Sequence, residues 1–90
     1  MRVLKAKVYG KVQGVWFRKF TQESAREIGI VGMVKNLDDG TVSVNASGKI
    51  ENLRKFKQWL KTGSPNSRVD KINYSWEDSP VEYLTFEILY

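Results

Sequence analysis

The chain has 90 residues, 41% of them apolar and 28% charged, which suits one globular domain and is too short for two, so residues 1–90 are read as a single domain. Its net charge of +5 and isoelectric point near 9.6 favour anionic partners, whether nucleic acid, phosphorylated metabolites or an acidic surface. There is no Cys and no His, which removes disulfides, thiolate metal sites, the usual zinc ligand and the usual general base near neutral pH.

No apolar run approaches the ~20 residues of a membrane-spanning helix. The opening MRVLKAKVYG alternates instead of forming a signal-peptide core, and a cytoplasmic protein is expected. In that stretch Leu4, Ala6, Val8, Gly10 and Val12 share one face, and Lys5, Lys7, Tyr9 and Lys11 share the other. This is the period-2 pattern of a strand with one wet face. From Phe17 the period changes. Phe17, Phe20, Thr21, Ser24, Ala25 and Ile28 fall at helical spacing, Glu23 and Glu27 take the solvent side, and Gly29 stops the helix.

A short strand, IVGMVKN, follows. Asp39-Gly40 between it and TVSVNA is a hairpin signal, and the pair Asp38-Asp39 reads as turn chemistry before metal binding. Ser47 is placed to cap a second helix with Ile50, Leu53, Phe56 and Leu60 on its apolar side, ended by Gly63 and Pro65. Two more strands, about 69–76 and 83–89, complete the chain, and a change of phase between Val69 and Ile72 predicts a bulge. Trp16, Trp59 and Trp76 lie in three different elements with no stacking pattern, so burial is expected of each.

The order β-α-β-β-α-β-β predicts an α+β fold, the ferredoxin-like split βαβ sandwich. An antiparallel sheet in the order 4-1-3-2 packs against two helices, with a fifth strand on an edge the sequence leaves open. In this topology the first two strands run parallel on either side of the third, about 10 Å apart, and their C-terminal ends reach the same rim. One end opens into GKVQGVWFR and the other closes on Val34-Lys35-Asn36.

A strand that turns at Gly14 and enters a helix near Phe17 can point successive amides inward, and the helix start adds free N–H groups. Arg18, in the first turn, offers a planar fork suited to a phosphoryl group, although its charge opposes the helix dipole. Arg18 also has an ordinary reading, in which it reaches a surface carboxylate. Asn36 likewise reads either as hairpin chemistry or as a functional amide. The topology also returns the last strand to this rim. There the Tyr90 carboxylate either pairs with Arg18 or frays.

The run GKVQGVWFRKFTQESAREIGIVGMVKNLDDGTV resembles the signature of the acylphosphatase family, G-x-V-Q-G-V-x-F-R followed by G-x-V-x-N-x-x-D-G-T-V. The resemblance continues through GSPNSRV and the closing FEI. It implies hydrolysis of the carboxyl–phosphate bond of small acyl phosphates without metal or cofactor. Arg18 and Asn36 fall on the family's catalytic positions, and its phosphate cradle falls on the backbone of Gln13, Gly14, Val15, Trp16, Phe17 and Arg18. Three residues depart from the usual pattern. Met33 replaces a common aromatic, bearing on the wall of the site, while Ser64 and Ser67 stand where Pro and Ala are frequent, bearing on loop rigidity.

An acyl phosphate expels a carboxylate whose conjugate acid has a pKa of ~4, so departure requires no general acid. Positioning and charge stabilisation remain. Arg18 and the cradle supply the second. The Asn36 amide holds the attacking water, whose proton passes to a phosphoryl oxygen. Inorganic phosphate is then expected as product and inhibitor, with no metal, no cofactor, no nucleic acid, no membrane and a monomeric state. The alternatives are a ferredoxin-like RNA-binding module and a non-catalytic phosphate-binding domain. The third strand, TVSVNA, lacks the aromatics such RNA-binding sheets use.

Overall fold

The computed structural model describes residues 2–80 and 82–90. In chain order the elements are β1 (Arg2–Lys11), α1 (Phe17–Ile28), β2 (Val31–Asn36), β3 (Val42–Gly48), α2 (Ile50–Thr62), β4 (Arg68–Asp78) and β5 (Phe86–Leu89). The strands form one sheet in the order β4-β1-β3-β2-β5. β1 pairs antiparallel with β3 and β4, and β2 pairs antiparallel with β3, as the split βαβ plan requires.

The fifth strand takes the β2 edge and runs parallel to it, with Gly32 opposite Phe86 and Lys35 opposite Leu89. The sheet is therefore mixed rather than wholly antiparallel. The reason lies in where β4 ends. Asp78 pairs with Arg2, at the rim from which β2 also departs, and a strand that starts there beside β2 must share its direction.

The apolar alternation of β1 continues across the sheet in transverse rows. One row sets Ala6 beside Val44 and Val34, and the next sets Val8 beside Val42 and Asn36. α1 lays Phe17, Thr21 and Ala25 on this face, and α2 lays Leu53, Phe56 and Leu60. All of these side chains are buried, and each large apolar one contributes about 1.5–3 kcal/mol by leaving water. Phe56 meets Phe86 edge-on at 5.6 Å and Phe17 meets Trp59 at 5.9 Å, which ties both helices and the edge strand into one core. Gly32 is required by close approach. Its φ is 149°, and a Cβ there would lie 1.9 Å from the Asn45 carbonyl oxygen.

The predicted bulge is present. Tyr9 pairs with Lys71 and Gly10 with Val69, which leaves Asp70 over. Ser47 does not cap α2. It is buried within β3, paired with Val3 and Val31, and the helix begins after Lys49 without a side-chain cap. Residues 83–85 lie outside β5, so the last strand is shorter than the sequence suggests. Trp59 and Trp76 are half-buried and pack against the core, whereas Trp16 is 74% exposed. Among the described residues no helix is long and apolar enough to cross a membrane.

Candidate active site

β1 ends at Lys11 and α1 begins at Phe17, so residues 12–16 must reverse the chain within a few steps. Val12 and Val15 anchor this loop by burial, and Gly14 and Trp16 turn it with φ values of 73° and 62°. The first backbone bond of α1 runs from the Phe20 N–H to the Trp16 carbonyl, 3.1 Å. The amides of Phe17, Arg18 and Lys19 therefore have no intrahelical acceptor. They carry the positive end of the helix dipole.

Two side chains from distant segments hold the loop. The Gln13 amide donates to the carbonyls of Leu37 (2.8 Å) and Thr41 (2.9 Å), fastening the loop to the β2–β3 turn. On the other side, the buried Ser64 hydroxyl donates to the Val15 carbonyl at 2.9 Å. Ser64 is itself set in a turn closed by the Ser67 amide (3.0 Å) and the Ser67 hydroxyl (2.7 Å), both donating to its carbonyl. The two serines that depart from the usual family pattern thus stiffen the loop. Nothing in the sequence signals this, because Ser64 lies 49 positions from Val15.

The loop forms one wall of an open cleft of about 380 Å³, whose lining includes Val12, Gly14, Trp16, Arg18, Asn36 and Tyr90. Arg18 and Asn36, 18 positions apart in sequence, therefore face the same space. Asn36 ends the apolar row of Val8 and Val42, so its side chain lies on the helix-covered face. Its Oδ1 is buried and accepts no hydrogen bond from the protein. Met33 belongs to the opposite face of β2 from Val34 and does not line the cleft, so it does not alter the site wall.

Arg18 is half-buried and forms no ion pair among the described residues. Its Nη1 donates to the Leu89 carbonyl at 3.4 Å, and its guanidinium lies 4.8 Å from the centre of the Tyr90 ring. Of the two readings of the terminus, the pairing of the Tyr90 carboxylate with Arg18 is not found among the described residues; Arg18 meets a backbone carbonyl and an aromatic face, neither of which neutralises the charge. The parallel placement of β5 brings both to Arg18. No group of three or more Asp and Glu side chains among the described residues is arranged to hold a metal ion.

The turn after Asn36 is held from within. Asp39 accepts from the Thr41 amide at 3.0 Å and from its hydroxyl, and the Lys7 ammonium lies 2.8 Å from its other oxygen. The hydrogen bond from Lys7, followed by those from Thr41, holds the Asp39 carboxyl well below the usual carboxylate range. This network gives Asp39 the turn role read for it in the sequence. It also fixes the Thr41 carbonyl to which Gln13 is tied.

Fold and site together describe a small α+β domain with an anion-suited loop and an unneutralised arginine at one rim of its sheet. The chain belongs to the acylphosphatase family, whose model matches residues 4–88. It is 49% identical to acylphosphatase-2 of Bos taurus over 86 residues, covering 92% of this chain and 87% of that one. Among solved structures, an acylphosphatase from Bacillus subtilis superposes with a TM-score of 0.96 at 39% identity, covering 100% of both chains. An acylphosphatase from Coxiella burnetii superposes with a TM-score of 0.91 at 32% identity, covering 97% of this chain and 90% of that one.

Proposed function

We propose that this chain is an acylphosphatase, hydrolysing small acyl phosphates to carboxylate and inorganic phosphate, with Arg18 and Asn36 as its catalytic residues. The observation that carries this reading is the shared cleft. An arginine that has no counter-ion among the described residues and the Asn36 side chain line one space beside the free amides of a helix start.

The phosphoryl group sits in the loop, receiving backbone N–H groups from Gln13 to Arg18 and the fork of Arg18. These donors stabilise the charge on the equatorial oxygens as the P–O bond to the acyl group lengthens. The amide of Asn36, a residue of the cleft lining, holds the attacking water by hydrogen bonding. In-line attack forms the new P–O bond while the bond to the acyl oxygen breaks. A proton of the water passes to a phosphoryl oxygen, and the carboxylate leaves without being protonated because its conjugate acid has a pKa of ~4. The scheme uses no histidine, in keeping with a chain that has none.

The same reading takes the protein as a monomer with no nucleic-acid partner, working in the cytoplasm, a compartment with which the lack of Cys agrees. The purified protein should hydrolyse benzoyl phosphate with saturation kinetics, unaffected by a metal chelator and competitively inhibited by inorganic phosphate. Turnover no faster than spontaneous decay would refute the proposal.

A further inference from the structure

An acyl phosphate has two halves, and Arg18, Asn36 and the loop amides engage only the phosphoryl one. The remainder of the cleft is aromatic and open. Trp16 is 74% exposed and Tyr90 91% exposed, and half-buried Ile88 also belongs to the lining. A tryptophan this exposed in a small domain is unusual, because the indole is normally largely buried.

Trp16 is also the one non-glycine residue with positive φ among the described residues, at φ 62° and ψ 20°. For a bulky side chain this left-handed conformation is unfavourable, and glycine would adopt it freely. Such strain persists where the surroundings impose it, and it gathers at functional sites. Here it turns the chain into α1 while directing the indole to the mouth of the cleft instead of the core. Tyr90 lines the same cleft, its ring centre 4.8 Å from the Arg18 guanidinium.

We infer that Trp16 is a specificity-determining residue whose indole forms a shelf for the acyl group, and that the preferred substrates carry a flat, apolar acyl group such as an aromatic ring. This rests on the hydrolase reading above. An aromatic acyl group emerging from the loop covers apolar surface on Trp16 and stacks against it, whereas an acetyl group is too small to do either. An acyl group bearing a second carboxylate would have to use Lys19, whose ammonium already lies 3.9 Å from Glu23.

The test compares kcat/KM for benzoyl, acetyl and succinyl phosphate in the wild type, Trp16→Gly and Trp16→Tyr. Glycine suits a φ of 62°, so the first variant should fold, and its thermal midpoint checks this. Any loosening of the loop backbone lowers all substrates alike, so the benzoyl-to-acetyl ratio is the readout. The wild type should favour benzoyl over acetyl phosphate by about tenfold or more, Trp16→Gly should bring the ratio close to one, and Trp16→Tyr should keep most of it. An unchanged ratio in Trp16→Gly, or a wild-type preference for succinyl phosphate, overturns the shelf while leaving the hydrolase reading standing. Failure of all three substrates overturns the hydrolase reading itself.

Discussion

The Ser64 hydroxyl donates to the Val15 carbonyl at 2.9 Å, and through that bond the exit of α2 orients a peptide plane in the loop before α1. The Val15–Trp16 peptide bond is trans, so the Trp16 N–H points opposite to the Val15 carbonyl. With the carbonyl held by Ser64, the N–H points away from Ser64, in a loop whose Gly14, Trp16 and Phe17 line the cleft. Ser64→Ala should therefore weaken inorganic phosphate inhibition several-fold and lower stability by about 1–3 kcal/mol, because a buried carbonyl loses its donor. Phosphate inhibition constants and denaturant titration check both. A loss of stability with unchanged phosphate affinity would mean that the bond serves packing alone.

Arg18→Gln should reduce kcat/KM by about 10²–10³, the scale of one lost transition-state donor. The fold should survive, since Arg18 contributes one 3.4 Å bond to a carbonyl and a stacking contact, both at the rim. Steady-state kinetics beside circular dichroism decide this. Near-normal turnover in a folded variant would remove Arg18 from the site.

Asn36→Ala should separate the two roles. If the amide holds water, kcat falls sharply while inorganic phosphate still competes with nearly unchanged affinity. The fold should tolerate the change, because the lost Oδ1 had no protein donor and alanine fits the apolar row beside Val42. A parallel loss of phosphate affinity would assign Asn36 to phosphate binding or loop shape.

Asp39 predicts an acid-sensitive turn. Its carboxyl is held below its ordinary value of 3.8 by Lys7 and Thr41. A carboxyl with a lowered folded-state value contributes stability that is complete above 3.8 and is lost as the pH falls toward the lowered value. The wild type should thus melt above Asp39→Asn at neutral pH, with the gap closing in strong acid. The pair with Lys7 is half-exposed, so the gap should be modest and shrink with added salt. A gap that is independent of pH would contradict the ionic origin.

Much of this molecule is legible in its sequence because the decisive signals are local. The alternation of Leu4, Ala6 and Val8, the helical spacing of Phe17, Thr21 and Ala25, and the Asp39-Gly40 turn each declare an element, and right-handed crossovers then leave few topologies. Arg18 and Asn36 reach one rim as a consequence of that topology. What the sequence hides depends on partners far along the chain. The β2 edge taken by β5 follows from where β4 stops, and Leu89 meets Arg18 only because of it. Ser64 gives no sign that it will find Val15. Trp16, expected in the core, stands at the cleft because its own backbone turns left-handed, which residue type alone does not reveal for tryptophan.

The most direct test is to follow hydrolysis of benzoyl phosphate in water enriched in oxygen-18 and locate the label. Attack on phosphorus by water held at Asn36 breaks the P–O bond, so the label should appear in inorganic phosphate at the rate of enzymatic turnover, and Arg18→Gln should slow that incorporation in proportion to kcat/KM. Label in the benzoate would mean attack at the acyl carbon, and would contradict phosphoryl transfer as the chemistry of this cleft.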